Sequence, residues 1–362
     1  MNTQENEGNV FAFARKHRCR VEEITDFSSN INPLGMSPLA VDAVRNSLHS
    51  SVHYPDGECI GLREALSQRH HVQVDQFLIG NGSTELIHLL PRALRFRKVL
   101  VPVPSFSEYE SGADLAGCHV EFLVLREEAR FQIVPSELIG AMDKGVEAIF
   151  LSNPNNPTGH LLSGPEVLQI IQAAQQKEIM VILDEAFIEF KEQASVIEET
   201  KRYPNLIVLR SFTNFFAMPG FRVGYLVANK EIVSVLEKAQ PPWSVNRLAE
   251  VAATEGLKDT LYIKRSRQMN ETERVFLFDT LSNTPGLDVY HSDANFILFR
   301  LIEHFLKAKE LEDLLAREKI LIRNCASFRG LNQWHIRIAV KSHTENQRMV
   351  RLLENLLNKM SR

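Results

Sequence analysis

Asp184 closes the apolar run MVIL and is followed at once by Glu185. A carboxylate at a buried strand end needs a partner. A protonated ring nitrogen would serve, and a helix or turn cap is the plainer reading. Ser211, Thr213 and Arg222 bracket a loop containing Pro219 and Gly220. Two hydroxyls and a guanidinium suit a phosphate dianion. GNGSTE at 80–85 runs from a strand into a helix, so Ser83 and Thr84 bring donors to a helix N-terminus that attracts anions, or simply start the helix. Tyr109 is placed either to stack on a flat ring or to pack at a domain edge. Asn156, within NPNNPTG, offers an amide to a ring hydroxyl or belongs to a turn. Arg323 and Arg337 lie at or beside the apolar strands ILIR and IRIAV, where an arginine requires a carboxylate from the protein or from a substrate.

A scaffold must bring these distant residues together. Candidate strands are Gln76–Gly80, Lys98–Val103, Glu147–Leu151, Ile179–Leu183, Leu206–Leu209 and Val223–Ala228, with helical spacing between them. The clearest helix is Glu166–Lys177, with Val167, Ile170, Ile171 and Ala174 on one face and a Ser163/Glu166 capping-box signature. Strands alternating with helices predict an α/β fold with a mostly parallel sheet, whose chemistry collects at the C-terminal strand ends. GNGSTE, PSFSEY, SNPNNPTG, DEAF and SFTN each follow such a strand.

After Pro241–Pro242 the pattern changes to helices at Arg247–Leu257 and Thr260–Leu281, short strands around Asn295–Arg300, Ile320–Arg323 and His335–Val340, and an amphipathic helix over Thr344–Lys359. A chain of 362 residues is long for one core. The expected organisation is an N-terminal arm (1–40), a large domain (41–242) and a smaller α+β C-terminal domain (243–362).

Composition narrows the partners. The formal net charge of −4 gives no general reason to bind nucleic acid or an anionic membrane. No apolar run is long enough to span a bilayer, and the polar start MNTQENEGN has no signal-peptide core. Cys19, Cys59, Cys118 and Cys325 form no CxxC pair, so neither a metal site nor a disulfide framework is expected, and a reducing cytoplasm fits.

Together these motifs resemble the fold-type I pyridoxal-phosphate (PLP) enzymes, in particular the histidinol-phosphate aminotransferase-like group, and within it the threonine-phosphate decarboxylases of cobalamin biosynthesis. The likeness covers nearly the whole chain. It is carried by DFSSNINPLG (26–35), YPD (54–56), SNPNNPTG (152–159), ILDEAFIEF (182–190), MPGFRVGYLV (218–227), PPWSVN (241–246) and ILIRNCASFRGL (320–331). PPWSVN, the DFSSNINPLG opening, the RNCASF segment and Phe187 favour the decarboxylases. The resemblance implies a homodimer binding pyridoxal 5'-phosphate. Asp184 would pair with its pyridine nitrogen, Tyr109 would stack on the ring and Asn156 would bond the 3-hydroxyl. Ser83, Thr84, Ser211, Thr213 and Arg222 would hold the phosphate, reached by Tyr54 from the other subunit. Asn32, Arg323 and Arg337 would receive the amino acid, with Arg337 on its carboxylate.

The pattern breaks at its chemical centre. The family reads Ser-Leu-Thr-Lys, and that lysine forms the Schiff base with the cofactor aldehyde; here the segment is Ser211-Phe212-Thr213-Asn214. An amide neither forms that imine nor shuttles protons, and general acid–base catalysis is commonly worth about 10²–10⁴-fold. The cofactor is therefore expected to bind without its usual covalent link, with altered or impaired lysine-dependent chemistry. Two further departures lie nearby: Asn6-Glu7-Gly8-Asn9 replaces the family's His-Gly-Gly-Asn, and Lys341 takes the place of an arginine.

Overall fold

The computed structural model describes residues 9–143, 145–302 and 306–360. A short strand β1 (Thr25–Asp26) precedes seven strands that form one sheet. These are β2 (Phe77–Gly80), β3 (Lys98–Val103), β4 (His119–Val124), β5 (Ala148–Ser152), β6 (Met180–Asp184), β7 (Leu206–Ser211) and β8 (Gly224–Val227). They lie in the order β2-β8-β7-β6-β5-β3-β4. Pairing is parallel except at β8, which runs against both β7 and β2. The start of β8 therefore lies beside the ends of its neighbours, which brings Arg222 to the same edge as residues that follow strands. Register aligns that edge: Ser152 pairs with Asp184, Ser211 with Gly224, and Gly224 with Gly80.

The interior strands match the apolar runs of the sequence to within two residues at either end. β4 was not among the expected strands. It is an edge strand with one neighbour, and its polar His119 and Glu121 interrupt the apolar run that marks a doubly covered strand. The helix Gly164–Gln176 has the expected capping box and buries Val167, Ile170, Ile171 and Ala174.

A second, antiparallel sheet has the order β12-β13-β10-β9, built from β9 (Leu287–Val289), β10 (Phe296–Leu301), β12 (Arg323–Asn324) and β13 (His335–Ala339). Between them β11 (Ile320–Leu321) pairs in parallel with β1, tying the N-terminal arm to this unit. The single strand expected at Ile320–Arg323 is thus two strands, because the chain changes sheets at Ile322.

Core packing does not divide at Pro241–Pro242, where the domain boundary was expected. Ala249, Ala252 and Ala253 of the helix Arg247–Lys258 are buried in the same core as Ala40, Leu62, Val181 and Val208. The second core takes Leu277 and Leu281 from the helix Thr260–Ser282, with Ile297, Ile336 and Met349. The proline pair ends one helix, but an alanine-rich face then brings the chain back onto the first core. Among the described residues no helix is long and apolar enough to cross a membrane.

Candidate active site

A cavity of about 770 Å³ opens over the aligned strand ends. At one side the helix Ser83–Ala93 begins at Gly82, whose φ is +81°, and no side chain caps its first turn. Uncapped first-turn N–H groups and the helix dipole favour an anion there. The Arg222 guanidinium lies directly against Gly82: a Cβ at Gly82 would stand 2.5 Å from Nη2. One at Gly224 would stand 2.6 Å from the Ser83 amide nitrogen. These two glycines let strand, helix start and arginine converge. Arg222 Nη1 donates to the Pro219 carbonyl at 3.1 Å, and the Thr213 amide donates to Ser211 Oγ at 3.2 Å. Ser83, Thr84, Ser211, Thr213 and Arg222 all line the cavity, as a cup with donors and one fixed positive charge.

Across the sheet edge stands Asp184, buried and facing the same cavity. Its Oδ2 accepts from the Tyr109 hydroxyl at 2.7 Å and its Oδ1 from the Ala186 amide at 3.0 Å. Both donors are neutral, and among the described residues no cation forms an ion pair with it. Burial pushes its pKa up to about 6 against those two hydrogen bonds. Burial and the adjacent carboxylate likewise raise the Tyr109 hydroxyl. Tyr109 lies in the first turn of the helix Glu108–Leu115, with its ring stacked on Phe150 at 5.3 Å between centroids. Its hydroxyl contact with Asp184 is a feature that sequence alone did not suggest.

Asn156 lines the cavity, and its Oδ1 accepts a short hydrogen bond from Arg337 Nη1. Arg337 is fully buried behind it, with Nη2 donating to the Ser28 carbonyl at 2.9 Å. Arg323 lines the cavity itself, over the Phe328 ring at 5.1 Å and donating to Ser327 Oγ at 3.2 Å. Phe187 forms part of the wall, edge-on to Phe296 at 5.0 Å.

Asn214 projects into this space, and its side chain makes no hydrogen bond among the described residues. No lysine lines the cavity among those residues either. Lys341 is buried outside the lining, and burial depresses its pKa against the pull of Asp26 and Glu345. Asn32, expected to meet substrate, does not line the cavity. Its Nδ2 lies 2.9 Å from the Phe215 carbonyl, 3.1 Å from the Tyr262 hydroxyl and 2.8 Å from Ser266 Oγ, so the side chain braces the fold. Asn30 lines the cavity instead, only 4% exposed, with its Oδ1 buried and without a hydrogen-bond partner among the described residues. Two asparagines in one NIN motif look alike in sequence; the turn decides which faces inward. Tyr54 is 80% exposed and packs on Trp243 at 4.7 Å, away from this chain's own cavity. Asn9 caps the first helix and lines the cavity, while Asn6, Glu7 and Gly8 lie outside the described residues.

Residues 22–356 match the family described as aminotransferase class I and II, and the chain belongs to that family. Its architecture is that of the fold-type I PLP enzymes, with a mostly parallel large sheet and a smaller C-terminal sheet. The chain is similar to the threonine-phosphate decarboxylase of Salmonella typhimurium, at 34% identity over 352 residues, covering 97% of this chain and 96% of that protein. Among solved structures it matches the histidinol-phosphate aminotransferase from Clostridium acetobutylicum with a TM-score of 0.85 and 35% identity, covering 93% of this chain and 100% of the other. The L-threonine-O-3-phosphate decarboxylase from Porphyromonas gingivalis gives 0.83 and 29%, covering 92% and 100%.

Proposed function

We propose that the chain binds PLP in this cavity and acts on a small amino acid, phosphorylated or not, as a decarboxylase-like carbon–carbon lyase with impaired lysine-dependent steps. One observation carries the reading. A buried carboxylate with no cation paired to it among the described residues, Asp184, shares a cavity with an anion cup formed by Arg222 and an uncapped helix start. A molecule with a basic ring nitrogen and a phosphate fits both ends.

Ser83, Thr84, Ser211, Thr213 and Arg222 hold the phosphate, and Asp184 holds the ring nitrogen in its protonated form. Asn156 is fixed by Arg337, which suits it to meet the ring hydroxyl. Phe187 and Tyr109 wall the ring and exclude water. Arg323 is placed to take the carboxylate of an amino acid, and Asn30 to read its polar groups. When bound, the ring supplies an electron sink for charge developing at the α-carbon. Asn214 cannot form a covalent link or transfer a proton there, so those steps lose their usual agent. The same observation favours a second reading, a non-catalytic homologue that retains the ligand. A histidinol-phosphate-type transamination needs the lysine more and is the less supported alternative. Tyr54, exposed beside Trp243, suits a homodimer in which each protomer completes its partner's phosphate site. Four free cysteines fit a reducing cytoplasm.

The test gives wild type and Asn214→Lys both PLP and phosphothreonine, following carbon dioxide release and the visible spectrum. The lysine variant is expected to gain a protein-linked absorption band and at least about 10²-fold in rate. Multiple rapid turnovers by the wild type would remove the non-catalytic reading. Failure of both proteins to bind PLP would remove the cofactor site.

A further inference from the structure

Between β12 and β13 the smaller sheet sends residues 325–331 across to the larger one. Cys325 and Phe328 are buried while Ala326, Ser327, Arg329 and Gly330 are exposed, so the segment is a strap seated at two points. Ser327 and Phe328 line the large cavity from this side. The next residues are fastened to the large-sheet unit. Arg329 Nη2 donates to Glu110 Oε1 at 2.6 Å, and its guanidinium lies over the Phe122 ring of β4, 4.1 Å from the centroid. Glu110 stands in the same first turn as Tyr109. Gly330, at φ +89°, passes so close to Pro104 that a Cβ would stand 3.3 Å from the proline ring. A second cavity of about 340 Å³ lies against the strap and shares Phe106, Ser107, Ser327 and Phe328 with the first.

Arg329 and Glu110 are not among the residues lining the large cavity. A pair that touches no bound ligand does not favour the bound form by contact; what it sets is how often the strap lifts. The Arg329 side chain is 51% exposed and that of Glu110 34%. An exposed pair shifts an equilibrium by about fivefold at most, enough to bias a strap and too little to lock it. We infer that Arg329 and Glu110 latch this strap over the cavity and gate the passage of ligand. The inference rests on the cofactor reading above for its cargo and deepens it. Asn214 gives the cofactor no covalent anchor, so its residence time is left to non-covalent contacts and to the strap.

The experiment compares the full-length wild type with Arg329→Gln, Glu110→Gln, the double variant and Arg329→Lys. Hydrogen–deuterium exchange reads the strap without any ligand. The Phe328 amide donates to the Cys325 carbonyl and the Leu331 amide to the Phe328 carbonyl, both at 3.0 Å. Exchange at these amides should quicken about threefold in each glutamine variant, and Arg329→Lys should recover most of the protection. Stopped-flow circular dichroism then follows PLP entering the cavity, and leaving it on displacement by 4'-deoxypyridoxine 5'-phosphate. Both rates should rise by about threefold to fivefold in the glutamine variants, with the dissociation constant moving by less than about twofold. A lost wall contact would instead speed release alone. The double variant should match Arg329→Gln, because one latch is lost only once. Salt at about 0.5 M should bring the wild-type rates toward those of the variants. The inference is overturned if strap exchange is the same in wild type and both glutamine variants, if release alone quickens, or if the two single effects multiply in the double variant. Failure of every protein to bind PLP overturns the cofactor reading instead, and the exchange measurement still decides the latch.

Discussion

Asp184 and Glu185 are neighbours at one strand end, both buried, yet strand alternation sends them to opposite faces of the sheet. Glu185 meets Arg210, whose Nε lies 2.9 Å from it, and also accepts from Ser195 Oγ and the Val196 amide. Arg210, itself fully buried, reaches Glu189 at 3.0 Å and Glu192 at 3.1 Å. Glu192 is shared in turn with Arg69 and Arg267. On that face three arginines answer three glutamates within the protein. On the other face Asp184 has two neutral donors and an open cavity. Burial raises both carboxylates, but only Glu185 has a cation opposing it. A buried charge alone therefore does not mark a ligand site. A buried charge whose counter-charge is missing, beside a cavity, does.

The comparison breaks most visibly at Arg210. Arg210→Met would leave Glu185, Glu189 and Glu192 without their central cation, and losing one member of a buried ion network costs about 3–5 kcal/mol. Denaturant unfolding at neutral pH should register that loss, and acidification should shrink it as the carboxylates take protons. An effect near zero would mean that the cluster is not structural.

Asp184→Asn should behave in the opposite way in the ligand-free protein. Burial lets the folded carboxyl hold its proton up to about pH 6, against about 4 for an aspartate in the unfolded chain. Between those values the folded state binds more protons than the unfolded one. This contribution to stability is fully present below about pH 4 and is lost as pH rises through about 6. The neutral amide avoids the loss, so relative to wild type the variant should gain up to about 3 kcal/mol between pH 4 and pH 7. Its affinity for PLP should nevertheless fall by at least about tenfold, because the acceptor for the ring cation is gone. Urea unfolding across pH and direct titration separate the two effects. Weaker folding at pH 7 together with unchanged affinity would contradict the assignment.

How much of this was legible beforehand depended on the kind of signal. Strands buried on both faces announce themselves as apolar runs, so β3 and β6 were readable, while the half-exposed edge strand β4 was not. The clusters at strand ends were readable because parallel topology forces them to one edge. Arg222 joins them for a different reason, the reversed direction of β8, which no local pattern encodes. Side-chain orientation in irregular segments was the least accessible. Asn32, which a motif reading placed at the substrate, is instead directed toward Tyr262 by the turn, and Asn30, to which that reading gave no role, lines the cavity. The Arg210 cluster was missed altogether, since its glutamates look like ordinary polar punctuation until the chain folds over them.

Tyr109 offers the finest test of the contrast between the two carboxylates. If it serves only as a wall for a ring, Tyr109→Phe should change nothing, because the phenyl group keeps the stacking on Phe150. The hydrogen bond to Asp184 predicts otherwise. The hydroxyl stabilises the ionised carboxylate, so its removal leaves the Ala186 amide as the one remaining donor to a buried anion. The Asp184 pKa then moves above about 6, and a larger share of the protein is protonated at neutral pH. Folding should weaken by only about 1 kcal/mol, because protonation relieves most of the uncompensated charge. Affinity for PLP, followed against pH, should show its acidic limb displaced to higher pH with the plateau largely kept. A phenylalanine variant with an unshifted limb would return Tyr109 to the role of a wall, and leave Asp184 to be held by the backbone alone.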